Sequence, residues 1–163
     1  MNPISVLKRV SFKNILKVIF IVLRYPHFAV PTLKATRECM KVSTELYGRL
    51  HYKNGPANAF RHAFWNYLIA KKCYKWQENI QAILNWTEKI TDWHESAFPN
   101  TPLARKMDLH NNAVGRFVFQ NNFEQTETEV IGILKQMAQD SKLIDTSSNL
   151  AELENQLVHI TAV

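Results

Sequence analysis

Two cysteines, Cys39 and Cys73, are too few and too far apart for a disulfide framework, a thiolate metal site or a redox pair, so a reducing compartment is expected. The uninterrupted apolar run Val18 to Leu23 is far shorter than the ~20 residues that span a bilayer, which excludes a transmembrane helix at this point. No apolar–polar alternation of more than a few residues occurs, so strands are not expected to build the fold. Repeats and low-complexity tracts are absent. So are a His-Glu-x-x-His pair and a glycine-rich phosphate loop, and no serine or cysteine is obviously poised beside a base. These absences exclude the common metalloprotease, nucleotide-binding and nucleophilic-elbow chemistries.

What is present is a helical pattern with an uneven distribution of charge. The chain of 163 residues, 46% apolar, fits one domain with a real core. Its net charge of +6 is not spread evenly. Residues 1 to 41 hold eight basic side chains against Glu38, a net of +7, which leaves twelve basic against thirteen acidic, a net of −1, in the other 122. The basicity therefore belongs to the N-terminal segment, and the near-neutral body argues against a nucleic-acid partner. In residues 6 to 23, Arg9, Lys13 and Lys17 lie four apart on one face, with Phe12, Ile15, Leu16, Ile19 and Leu23 mainly opposite. Arg24-Tyr25-Pro26-His27 follows without a small-x-small cleavage site, so this stretch is expected to be a retained basic amphipathic helix rather than a cleaved signal. It either packs on the domain or lies, through residues 6–24, on an anionic membrane surface. The expected location is cytoplasmic or peripheral to a membrane, with export left open.

The remainder reads as helix after helix, and the predicted fold class is all-α: a single compact multi-helix domain at 31–163 behind an N-terminal helix at 1–30. Pro26 and Pro31 are expected to punctuate the chain before a helix from about Thr32 to Tyr47. Further helices are predicted over Ala57 to Tyr74, residues 76 to 95, Asp108 to Phe119, Glu127 to Gln139 and Leu150 to Ile160. In this reading Trp76 belongs to an apolar helical face, and Asp108 serves as an N-cap or first-turn carboxylate.

Polar residues interrupt the apolar pattern in three places. Asn58, His62 and Asn66 are spaced i, i+4, i+8 among Phe60, Ala63, Phe64, Tyr67 and Leu68, so the stripe should face inward, with Arg61 and Trp65 beside it. Glu88, Asp92 and Glu95 share a face at a helix end, with His94 next to Glu95. Asp108, Asn111, Asn112, Gly115 and Arg116 occupy the i, i+3, i+4, i+7, i+8 positions usually held by core leucines. An unpartnered polar group costs roughly 2–7 kcal/mol to bury, so the three clusters are expected to partner one another in a shared site.

The candidate catalytic residues, and candidate ligands of a divalent metal cofactor, are His62, His94, Glu95 and Asp108. Arg61 and Arg116 are expected to hold an anionic substrate group, with Asn66 and Asn112 beside them. The function expected is a hydrolase of an anionic ester, a phosphoester or lipid, near a membrane surface. The alternative is a non-catalytic helical module that binds a membrane or partner. In that reading the buried polar groups fix helix register, Asp108 is a plain N-cap and Arg116 its paired charge.

Phe60-Arg-His-Ala-Phe-Trp-Asn66, Asp92-Trp-His-Glu95 and Met107-Asp-Leu-His-Asn-Asn-Ala-Val-Gly-Arg116, over a motif core of 54–118, resemble a bacterial domain family known only as a domain of unknown function. Its members resemble the pattern Phe-Arg-His-Ala-aromatic-Trp-Asn, His-Glu, Met-Asp-x-x-Asn-Asn-x-x-Gly-Arg, in short chains and at the ends of larger, sometimes toxin-like, secreted ones. The resemblance implies Arg61, His62, Asn66, His94, Glu95, Asp108, Asn112 and Arg116 as site residues and carries no reaction with it. The first motif is also similar to the Arg-His-Asp core of small bacterial phospholipases A2. Here Ala63 replaces the aspartate, with no calcium loop or paired cysteines alongside.

Overall fold

Two of the motif helices meet where their side chains are smallest. A Cβ built on Gly115 would lie 2.2 Å from the carbonyl oxygen of Ala63, so these helices cross in backbone contact. The crossing belongs to a computed structural model that describes residues 11–98 and 100–161. The part of the expected N-terminal helix at 6–10, with Arg9, lies outside the described residues.

Six helices are present among the described residues: α1 (Phe12–Arg24), α2 (Pro26–Tyr47), α3 (Pro56–Tyr74), α4 (Ile80–Ala97), α5 (Pro102–Asn122) and α6 (Glu127–Gln139). The fold is a single all-α domain. Helix α3 is its axis: thirteen of its nineteen residues are buried, and α2, α4, α5 and α6 all pack on it. Phe60, Phe64, Tyr67, Leu68, Trp86 and Phe119 fill the space between these helices. Each such side chain removed from water contributes about 1.5–3 kcal/mol. Helix α1 lies outside, on α4, where Val18, Ile21 and Val22 meet the core and the Trp93 indole donates to the Asn14 carbonyl at 2.8 Å.

The helix starts follow local capping chemistry, and they correct several of the predicted boundaries. Helix α2 begins at Pro26, not Thr32. Proline fits the first turn, and Pro31 is carried inside the helix because the carbonyl it leaves unbonded is that of exposed His27. Phe28 stacks on Tyr25, and the Trp86 indole donates to Thr32 Oγ1 at 2.9 Å, anchoring this first stretch to the core. Helix α4 starts at Ile80 because the Asn79 side chain accepts from the Ala82 amide, so Trp76 falls outside it and is 65% exposed. Helix α5 starts at Pro102 with Thr101 as its N-cap, which puts Asp108 well inside the helix and overturns its predicted capping role. Helix α6 carries a full capping box, Thr126 with Glu129.

The predicted last helix, Leu150 to Ile160, does not form. Leu150–Leu153 is one 3-10 turn capped by Asn149, and Asn155 has a left-handed φ of 65°. Val158–His159 (β2) then pairs in parallel with Lys142–Leu143 (β1). The chain is held extended by Asn111, whose side-chain oxygen accepts from the Val158 amide and whose nitrogen donates to the Val158 carbonyl, both at 2.9 Å. Met107, Ile144 and Val158 close a small second core beneath this segment.

Candidate functional site

His62 on α3, Glu95 on α4 and Asp108 on α5 are all buried, and one donor atom from each lies within 4.8 Å of the others. The Ala63–Gly115 crossing brings α3 and α5 close enough for this. Glu95 arrives on a buried stripe of α4, Thr87, Thr91 and Glu95, at i, i+4, i+8.

The hydrogen bonds assign the histidine tautomer. The Arg61 guanidinium, which can only donate, lies 2.7 Å from His62 Nε2, so Nε2 is the accepting nitrogen. Nδ1 therefore carries the proton and donates to Asn112 Oδ1 at 3.1 Å, which also takes the Asn66 amide at 2.7 Å. Glu95 Oε1 is 3.6 Å from the same Nδ1 and accepts from Asn112 Nδ2. On the other side of the ring, Asp108 Oδ1 stands 3.3 Å from Nε2. Asp108 Oδ2 accepts from Asn100, but Oδ1, fully buried, has no donor at all. An acceptor left so in a protein interior calls for a proton or a cation.

The charge states follow from burial. Burial lowers the pKa of His62 well below the usual imidazole range, helped by Arg61 and His94 and opposed by the Asn112 hydrogen bond. Burial and then Arg61 push His94 down to about 4. Glu95 is pushed up to about 7 by burial and then by the Asp108 charge, and burial pushes Asp108 up to about 6 against the pull of Arg61. The cluster thus holds neutral imidazoles and carboxyls of raised pKa around one guanidinium, and His62, Glu95 and Asp108 are the residues that could hold a cation.

Of the four predicted ligands, the structure brings His62, Glu95 and Asp108 together and leaves His94 outside the triangle. The His94 ring packs on Trp65 and Phe98 and lines a cavity of about 100 Å3 with Arg61, His62, Trp65, Thr36, Cys39 and Met40. Arg61 and His62 therefore both border this cavity. Arg116 does not line that cavity. It donates to Asn66 Oδ1 at 3.3 Å and to Glu88 at 3.2 Å, so the expected Arg116–Asp108 pair is replaced by Arg116–Glu88. Asn66 and Asn112 bond protein groups inside the network, and Asn111 holds β2 instead of facing the site. Asn58 is buried but reaches only the His51 carbonyl, at 3.4 Å.

On α4 the predicted stripe splits. Glu88 is exposed, Asp92 is half-buried toward α1, and Glu95 alone enters the cluster. Sequence reasoning missed Thr91, whose hydroxyl donates to Asn66 Oδ1 at 3.2 Å, and Asn100, which holds Asp108. The i, i+4, i+8 spacing of Thr87, Thr91 and Glu95 was a readable signal for the first. Asn100 sits in a loop and offered none.

A family model described as "Domain of unknown function (DUF6973)" matches residues 19–142, most of the chain and all three motifs, and the chain belongs to that family. No curated protein and no solved structure matches it.

Proposed function

We propose that this chain is a hydrolase of anionic esters, phosphoesters foremost, whose reacting centre is a divalent cation held by His62, Glu95 and Asp108. The observation that carries the reading is the buried, unpartnered Asp108 Oδ1 facing His62 Nε2, with a Glu95 oxygen inside the same 4.8 Å group. One imidazole nitrogen and two carboxylate oxygens suit zinc or manganese, and leave positions open for water and substrate. A cation held there would supply Lewis-acid activation of water and of the ester.

The chain's own residues supply the rest. Asn112 accepts the hydrogen bond from His62 Nδ1–H and so keeps the lone pair on Nε2, 3.3 Å from Asp108 Oδ1, and Asn100 fixes the other Asp108 oxygen. Arg61, whose guanidinium would leave Nε2 to a bound cation, lines the adjoining cavity and would meet the substrate's negative charge there. Trp65 and His94 wall that cavity, whose volume suits one small anionic group and leaves the bulk of the substrate outside.

Calorimetric titration of zinc and manganese into the wild type, Glu95→Gln and Asp108→Asn tests the reading, together with chromogenic phosphomonoester, phosphodiester and carboxylic-ester substrates with and without chelator. One site is expected, weakened at least ~10-fold in either variant, with chelator-sensitive hydrolysis of a phosphoester. Equal metal affinity in all three proteins, or hydrolysis indifferent to chelator, would overturn it. A second reading, a structural network, is favoured by Asn66 and Asn112 spending their hydrogen bonds on one another and on the protein. It predicts that both variants lose stability and nothing else.

A further inference from the structure

Between α1, α4 and α5 lies a groove of about 510 Å3 that shares no lining residue with the cavity beside His62. Lys17 and Arg24 of α1, Lys89 of α4 and Arg105 of α5 line it, facing the single carboxylate Asp92. None of these four cations forms an ion pair among the described residues. Arg105 donates to Ser96 Oγ, while Arg24 and Lys89 lie 5.8 and 6.0 Å from the centre of the Tyr25 ring. Aromatic Phe20, Tyr25 and Trp93 complete the walls.

The groove borders an apolar ridge. Helix α1 partly buries Val18, Ile21 and Val22 against the core yet leaves Phe12, Leu16, Ile19, Phe20 and Leu23 about half to three-quarters exposed. Such a ridge on a soluble surface marks something that covers it. Phe20 belongs to both ridge and groove, so one occupant must satisfy apolar side chains and a surplus of positive charge side by side. Nucleic acid matches the charge but leaves the ridge in water. A second copy of the chain covers the ridge but brings the same surplus of positive charge against its like. An anionic bilayer satisfies both, with acyl chains meeting the ridge and phosphate the groove. The described part of α1, thirteen residues or ~20 Å, is too short to cross a bilayer by itself, and α2 departs from it at 115°, a bend that suits a helix lying along the surface.

We propose that α1 and this groove together form a docking site for an anionic phospholipid surface, the ridge entering the acyl boundary and Lys17, Arg24, Lys89 and Arg105 gripping a lipid phosphate. Cations of α4 and α5 take part, so the contact orients the whole domain and is more than a helical tether. The site stands whether or not the His62 centre hydrolyses anything, because vesicle binding needs no turnover.

The test is co-sedimentation of the full chain with phosphatidylcholine vesicles, with and without about a third phosphatidylserine, compared across variants. The expected result is binding to the anionic vesicles alone. Lys89→Gln and Arg105→Gln, on the body of the domain, should each weaken it about fivefold, and Phe20→Ser with Leu23→Ser at least tenfold. These positions are exposed, and circular dichroism confirms that the variants fold. Inorganic phosphate at millimolar concentration should not release the bound protein; release would mean a free-anion site and overturn the lipid assignment. The proposal is equally overturned by absent vesicle binding, by binding unchanged in Lys89→Gln and Arg105→Gln, by a dimer in sedimentation equilibrium that Phe20→Ser dissolves, or by duplex DNA binding as tight as vesicle binding.

Discussion

Asp108 carries a cost that a purely structural residue would not. Its Oδ1 is buried without a donor, beside a carboxyl that burial and like charge already push up to about 7. Removing a buried unsatisfied charge while keeping its shape should stabilise a protein, by about 1–2 kcal/mol here. Asp108→Asn is therefore expected to raise the urea midpoint at pH 7 while it weakens metal binding. A variant that loses both stability and metal would mean that the carboxylate holds the fold. Gly115 makes the opposite case. Its missing Cβ is the space in which the Ala63 carbonyl sits, and backbone cannot swing aside as a side-chain tip can. Gly115→Ala should cost about 3 kcal/mol or more, read as a lowered thermal midpoint with loss of the helical signal at lower temperature. The same crossing explains Ala63, the residue that departs from the phospholipase A2 pattern: its place on α3 is a helix contact with no room for an aspartate.

At the scale of elements, spacing proved more informative than punctuation. The i, i+4, i+8 stripe of α3 and the i, i+4 pair Asp108 and Asn112 of α5 were legible because a polar residue in a core position needs a partner: His62, Asn66 and Asn112 bond one another, whereas Asn58 Oδ1 and Asp108 Oδ1 are left without one. The starts of the helices were harder to read, since Thr101 and Asn79 cap through their side chains, and Pro31 is carried inside a helix that buried Phe28 and Thr32 hold to Trp86. On α4 the face was misread by one position: Glu88 and Asp92 drew attention as charges, whereas the buried neighbours of Glu95 are the threonines 87 and 91. The C-terminal segment was misread because its partner is distant: Asn111 satisfies the Val158 backbone across 47 residues. Asn111→Ala should leave the six helices intact and raise amide exchange at Ile144 and Val158 to Ile160, at a cost of about 1–3 kcal/mol. Exchange slowed equally at all of these amides in both proteins would show that β1 and the Met107 core suffice to hold the segment.

For the whole molecule, the buried cluster sets two opposing dependences on pH. Glu95 and Asp108 have folded pKa values raised above their unfolded ones, so the stability they contribute is complete below about pH 4 and is lost as pH rises through about 6 and 7. His94, lowered to about 4, and His62, also lowered, contribute stability that is complete above pH 6.5 and is lost as pH falls toward their folded values. Over about pH 4.5 to 6 the folded chain therefore differs from the unfolded one by two protons retained on carboxyls and two refused by imidazoles, and the slopes nearly cancel. The cluster's contribution to stability should be close to flat in that window, in chelator, and each single substitution should tilt it. Glu95→Gln removes a loss that grows with pH, so its stability relative to wild type should climb by about 3 kcal/mol between pH 4.5 and 8. His94→Asn should tilt the other way and gain relative to wild type as pH falls from 7 to 4. Urea unfolding of the three proteins across that range decides the matter: parallel profiles would mean that water or local opening relieves the charges, and that the three helices do not hold them as tightly as their burial requires.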